Sequence, residues 1–205
     1  MWKHTSRLGF TIPEVDKLLA PYAEKSYQKY KQEWYDINES NTISYKADEY
    51  ATKKVRRDFE QGFQSWEYRF NTVGSSRGDY PFIACSFGIG QGKWEQMATE
   101  TILKVRAGGQ GKDGYKKPVL FPKLSFIYDD KLHDEGKPLE YLFDIAIDCS
   151  SKSMYPDFIS VSSKANGYIP SIYQKYGKVI SLMGKHYCSS IKNLVNLQMQ
   201  GVLSA

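Results

Sequence analysis

The passage from Asn71 to Gly88 restricts the fold of this chain more than any other. Its first part, Asn71 to Asp79, is polar and holds two glycines, two serines and Arg77. Its second part, Tyr80 to Phe87, is mostly apolar and is bounded by Gly88, Gly90 and Gly92. A short apolar run between turn signals predicts a buried strand. Helical patterns precede this passage, and strand and helix patterns alternate after it, which indicates an α/β fold. A polar Gly/Ser/Arg loop feeding a buried strand suits an anion. Backbone N–H groups can form a concave cradle, glycine admits close approach, and arginine offers a bidentate charge.

Ahead of this passage, residues 12–34 read as a helix with Pro13 near its start. Val15, Leu18, Leu19, Tyr22 and Ala23 recur at helical spacing, and Pro21 is expected to break or kink the helix early. Its tail, Tyr27 to Trp34, is rich in Tyr and Lys. Such a run can hold single-stranded nucleic acid, but it equally suits a solvated helix face with buried Tyr rings, the reading adopted here. Residues 36–44 read as a polar linker with Ser44 as N-cap. A long helix over 45–70 follows, with Ala47, Tyr50, Ala51, Val55, Phe59, Phe63, Trp66 and Phe70 as its apolar stripe. Its other face carries Lys46, Lys53, Lys54, Arg56, Arg57 and Glu60, a solvated face that could also help hold a nucleotide effector.

Beyond Gly88, a helix is expected from Lys93 to Ala107, with Gly108 and Gly109 ending it. Residues 109–117 read as a Gly/Lys connector. A second strand, Val119 to Tyr128, is interrupted by Pro122, which predicts a sheet edge or a bulge. Leu139 to Lys152 is the cleanest helix, with Leu139, Leu142, Phe143, Ala146 and Ile147 on one face, stopped by Tyr155-Pro156. A polar segment leads to a short strand, Val179 to Leu182.

Several chemistries are set aside. Gly88-Ile89-Gly90-Gln91-Gly92 suggests a dinucleotide loop, but GxGxxG needs glycine at position 93, which is Lys93, and no GxxxxGK[ST] occurs. Asp129, Asp130, His133, Asp134 and Glu135 are close in sequence but read as a polar turn rather than a metal site. Cys85, Cys149 and Cys188 are odd in number and far apart, which predicts neither a disulfide framework nor zinc. Cys149 reads as a small buried residue. The net charge of +5, from 28 basic and 23 acidic residues, permits anionic partners without demanding them. Aromatics at 15% argue against disorder. No leader and no apolar run of membrane length is recognisable, so a reducing cytoplasm is the expected location, the host's if the gene is phage-borne.

The segments FNTVGSSRGDYPF, SFG, KKPVLFPKLSF, DCSSKSMYPDF and YGKVISLMG carry a resemblance. From about Tyr45 to Gly184 the chain resembles the catalytic subunit of the anaerobic (class III) ribonucleoside-triphosphate reductase, a glycyl radical enzyme, and most of all its phage branch. The resemblance implies part of a ten-stranded α/β barrel, here preceded by N-terminal helices. It implies an oxidoreductase that reduces ribonucleoside triphosphates to deoxyribonucleoside triphosphates for DNA synthesis through glycyl and thiyl radicals. A separate iron–sulfur, S-adenosylmethionine-dependent activase installs the glycyl radical, formate is the usual reductant, ATP and deoxynucleotides are effectors, and the intact enzyme is expected to be a homodimer. Asn71, Thr72, Ser75, Ser76, Arg77 and Gly78 match the family's NT-x-x-SRG-type segment, and Met183-Gly184 matches the start of its MGCR finger loop. These eight are the expected substrate-binding residues.

The resemblance stops at that loop. Where the family has Cys-Arg after Met-Gly, this chain has Lys185-His186. Three segments are therefore expected: a helical lead-in over 1–44, a partial reductase barrel over 45–184, and an unrelated tail over 185–205. An intron, another insertion or a frameshift would produce that tail. No catalytic residue is retained, Cys188 being three residues late in a foreign context, and no metal or cofactor is expected in this chain itself. Its partners would be ribonucleoside triphosphates, the activase and the remaining reductase segments. The alternatives are a non-catalytic nucleotide-binding module and an inert truncated product.

Overall fold

The structure, a computed structural model, describes residues 10–38, 44–72, 82–112, 114–162, 167–177 and 179. Ten elements follow in order: β1 (Phe10–Ile12), α1 (Val15–Ile37), α2 (Ser44–Thr72), β2 (Ile83–Phe87), α3 (Lys93–Gly108), β3 (Lys123–Tyr128), α4 (Asp130–His133), α5 (Glu140–Ser153), β4 (Asp157–Ser160) and α6 (Tyr168–Tyr176). The four strands form one parallel sheet in the order β1-β2-β3-β4. Parallel neighbours require crossover connections, and here every crossover carries helix, which makes the described residues an α/β fold.

Register explains the core. Cys85 pairs with Leu124 and Phe87 with Phe126, so the four side chains share one sheet face. They pack against Ala98, Ile102, Leu103 and Val105 of α3, Leu142, Ala146 and Cys149 of α5, and Phe63 of α2. On the opposite face Ile127 and Ile159 meet Ile89, Val161 and Val179, with Ile169 and Tyr173 of α6 packed over them. With helices over both faces, the central strands are buried at nearly every residue, as parallel strands usually are. A third cluster, Ala23, Val55, Trp94 and Met97, locks α1, α2 and α3 together.

The helices expected at 12–34, 45–70, 93–107 and 139–152 appear as α1, α2, α3 and α5. Four details differ. First, α1 is continuous through Pro21, because packing against α2 and α3 along its length outweighs one missing backbone bond. Second, β3 starts at Lys123 and lies inside the sheet. Pro122 sits just ahead of it and takes no ladder position, so it marks neither an edge nor a bulge. Third, Ile147 is exposed at 48%, and the buried stripe of α5 runs through Leu142, Ala146 and Cys149 instead. Fourth, β1, α4, β4 and α6 are additional elements. Because β1 pairs with β2 and α1 packs on α2 and α3, the first described residues belong to the same sheet and core as the rest. The strand expected at Val179 to Leu182 lies outside the described residues except for Val179.

Candidate functional site

In a parallel sheet all strand starts share one rim and all strand ends the other. Asn71 and Thr72 close α2 before β2 and therefore lie at the amino rim, with Phe121-Pro122 before β3 and Pro156 before β4. The amide of Asn71 bonds at all four positions. Its Nδ2 donates to Glu67 O at 2.7 Å and to Phe121 O at 2.6 Å, and its Oδ1 accepts from Leu120 N at 3.3 Å and Phe121 N at 3.2 Å. Thr72 is exposed, and its hydroxyl donates back to Tyr68 O at 2.6 Å. Ser75, Ser76, Arg77, Gly78, Met183, Gly184, Lys185 and Cys188 lie outside the described residues.

Behind Asn71 is a buried ion pair that the sequence analysis does not anticipate. Arg106 Nε donates to Glu67 Oε1 at 2.6 Å, with the side chains 0% and 1% exposed. Arg106 Nη2 donates to Pro122 O at 2.8 Å, and its guanidinium carbon lies 5.7 Å from the Tyr155 ring centre. The pair thus ties α2, α3 and the segments before β3 and β4 together. Cys85 is fully buried beside it, and burial pushes its thiol up to about 12. It is a protonated packing residue rather than a nucleophile, because the thiolate is the reactive form. Burial also raises the Cys149 thiol.

At the carboxyl rim, the Gly88–Gly90 turn does present backbone N–H groups to an anion, and the anion is Asp16. Its Oδ2 accepts from Gly88 N at 3.0 Å and Gly90 N at 3.2 Å, and the carboxylate is fully buried. Burial raises the Asp16 carboxyl above its ordinary range, and the bonds from Gly88, Lys17 and Gly90 pull it back. A Cβ on Gly90 would meet Glu95 Cβ at 2.5 Å, so the close approach requires glycine. The carbonyl of Gly88 faces His133 Nε2 at 2.9 Å, and His133 Nδ1 lies 3.1 Å from Asp129 N. Gly88 O only accepts, so Nε2 carries a proton, while Nδ1, 3.1 Å from both Asp129 N and Asp129 O, accepts from the amide when the ring is neutral and can donate to the carbonyl when it is charged. Asp129 also caps α4 by accepting from Lys131 N. Among the described residues no group of His, Cys, Asp and Glu is arranged to hold a metal ion.

The Tyr/Lys face of α1 is similarly engaged. Tyr27 donates to Asp48, Tyr30 to Asp58 and Tyr50 to Glu33, while Lys31 pairs with Asp48 and Lys93 lies 4.5 Å from the Trp94 ring centre. Carboxylates pair with Lys31 and Lys54, and the Tyr27 and Tyr30 rings pack against the cluster between α1, α2 and α3. A groove of about 540 Å³ lies between α1 and α2, lined by Val15, Leu19, Val55, Phe59, Phe63 and Trp66. Its lining is mostly apolar, with Asp58 and Arg69 as its charged residues. No helix of the described residues is long and apolar enough to cross a membrane.

The described residues therefore define an α/β protein with a four-stranded parallel sheet, whose glycine turn at the carboxyl rim is closed by its own aspartate. Residues 6–200 match the family described as anaerobic ribonucleoside-triphosphate reductase, and the chain belongs to that family. The match starts ahead of Tyr45 and runs past Gly184, beyond both ends of the motif-bearing stretch. The anaerobic ribonucleoside-triphosphate reductase of Escherichia coli is 35% identical over 153 residues, 74% of this chain and 20% of that protein. The reductase of that name from enterobacteria phage T4 is 35% identical over 156 residues, 76% of this chain and 25% of its own length. That of Salmonella typhimurium is 34% identical over 156 residues. The chain thus spans a fifth to a quarter of the curated relatives it matches.

Proposed function

We propose that this chain supplies part of the nucleotide-holding barrel of an anaerobic ribonucleoside-triphosphate reductase, the oxidoreductase that makes deoxyribonucleoside triphosphates for DNA synthesis. The family match over residues 6–200 carries the reading. The four parallel strands suit a section of a ten-stranded α/β barrel, with the remaining strands supplied by other reductase segments. In the intact enzyme, ribonucleoside triphosphates, an activase and a second subunit are the partners, ATP and deoxynucleotides the effectors, and the cytoplasm the location.

Within this chain the substrate segment is Asn71, Thr72, Ser75, Ser76, Arg77 and Gly78, with Met183-Gly184 leading into the finger loop. Two considerations support the first of these. The segment joins hydroxyls, glycine and one arginine, a set suited to phosphate oxygens. The competing cradle at Gly88–Gly90 is already closed by Asp16. A class III reductase works through a glycyl radical, which an iron–sulfur, S-adenosylmethionine-dependent activase installs, with formate as the usual reductant. Lys185 stands where the family motif carries the finger cysteine, so no radical step is assigned to this chain. Its residues bind and orient.

The test is Arg77→Ala. Binding of a labelled ribonucleoside triphosphate to the 205-residue chain should weaken by about 1–3 kcal/mol, the loss of one charge-assisted bond to phosphate. Unchanged affinity would instead give Arg77 a structural ion pair, for which Asp79 is near in sequence.

A further inference from the structure

We infer that the cavity at the start of β4 is a subsite for the ribose of a ribonucleoside, with Asp157, Lys123 and Ser125 holding its hydroxyls. The inference deepens the reading above and rests on it, since the nucleotide proposed there supplies the ligand class. It starts from the two faces of the sheet. Cys85, Phe87, Leu124 and Phe126 turn toward the helices, and every one is apolar and fully buried. On the other face, register places Thr11 and Lys123 on either side of Ala84, and Ser125 between Ser86 and Asp157. A parallel strand covered on both faces is usually apolar on both. Here small and polar residues take those positions, on the face that turns inward where helices ring a closed barrel.

The cavity has a volume of about 470 Å³, and Lys123, Ser125, Met154, Pro156, Asp157 and Ile159 are among its lining residues. Lys123 Nζ lies 2.7 Å from Asp157 Oδ2, with the side chains 27% and 48% exposed. A pair this exposed adds little to stability. Both partners keep bonding capacity, because an ammonium has three protons and a carboxylate a second oxygen. Ser125 pairs directly with Asp157 across β3 and β4, so its hydroxyl stands one strand spacing from the pair. Three ligand chemistries can be compared. A free anion would meet a lysine whose charge Asp157 already balances. A metal ion would find Asp157 as the one carboxylate among the described lining residues. A vicinal diol suits all three groups: a hydroxyl donates to Asp157, and its oxygens accept from Lys123 and Ser125. Met154 adds an apolar side. It ends α5 at φ 60°, where glycine is usual, and its side chain is 86% exposed. A flexible thioether at the rim suits the flat face of a base.

The experiment uses the full 205-residue chain with carbon-13 in its methionine methyl groups. The Met154 resonance is assigned by its loss in Met154→Leu. The probes are cytidine, 2′-deoxycytidine and inorganic tripolyphosphate. Cytidine should move the Met154 resonance saturably in the millimolar range. The deoxy analogue should bind about fivefold more weakly or worse, because it leaves Asp157 without one donor. Tripolyphosphate should leave the resonance in place. Asp157→Asn keeps the shape and removes the charged acceptor, so it should weaken cytidine about tenfold. Lys152→Ala, whose parent side chain is exposed and paired with Asp148 outside the cavity, should bind cytidine as the parent does. If Asp157→Asn fails to fold, the ratio of the two nucleosides in the parent decides. No saturable shift with cytidine, equal affinity for the two nucleosides, or a shift with tripolyphosphate as large as that with cytidine would overturn the inference. Cytidine carries no phosphate, so its binding is independent of Arg77. If Arg77→Ala leaves triphosphate affinity unchanged, the Arg77 reading falls, and the nucleoside ratio still decides the subsite.

Discussion

At position 67 a glutamate stands where helix spacing puts the core. Phe59, Phe63 and Glu67 follow one another at steps of four, and so do Ala98, Ile102 and Arg106 on α3. Charged residues on two buried stripes were the sequence signal for an ion pair. What the sequence could not show is that the two stripes face each other, since that depends on how α2 and α3 pack. Asp16 is a similar case: it sits beside Val15 on the buried side of α1, and its partners Gly88 and Gly90 are more than seventy residues away. Removing one member of a buried pair leaves the other charge uncompensated, which typically costs about 3–5 kcal/mol. Glu67→Ala should therefore lower stability by that amount in urea unfolding, and Glu67→Ala with Arg106→Met should recover much of it. A single variant within about 0.5 kcal/mol of the parent would show that the pair is not buried in solution.

Among the elements, helices were more legible than strands. The stripes of α2, α3 and α5 fixed them to within two residues, because each helix buries one face and exposes the other. The three-residue β1 is too short for any periodicity. In Asp157–Ser160 only Ile159 is buried, so β4 lacks the apolar run that revealed β2. Pro122 misled for a related reason: proline forbids a ladder position, but nothing local says whether the strand begins before it or after it. The short α4 adds a pH dependence. Burial lowers the His133 pKa below its ordinary 6.5, so the unfolded chain binds this proton more readily than the folded one. Stability should fall as pH drops from about 6.5 toward the folded pKa and should be fully kept above 6.5. Asp16 has the opposite slope at lower pH. Its raised pKa means the folded state holds the proton longer, so its term weakens folding as pH rises above 3.8 through the folded pKa. Urea midpoints between about pH 5 and pH 7 should rise with pH in the parent, and His133→Gln should flatten that rise. An equally steep profile in the variant would remove His133 from the account.

For the whole molecule, five sequence segments carried the resemblance, and the family match over residues 6–200 reaches beyond them at both ends. The chain covers 20% and 25% of the length of two of the relatives. The central claim is that this chain holds nucleotide within a reductase and carries out no reduction by itself. Thiyl chemistry needs a cysteine at the finger tip, and Lys185 cannot form or relay a thiyl radical. The most direct test incubates the 205-residue chain anaerobically with activase, S-adenosylmethionine, formate, ATP and a labelled ribonucleoside triphosphate. Deoxynucleotide is measured, and electron paramagnetic resonance is used to look for a glycyl signal. The account predicts no product above the no-protein control and no radical signal. Product above that control would contradict it and would make Cys188, then Cys149, the first residues to replace.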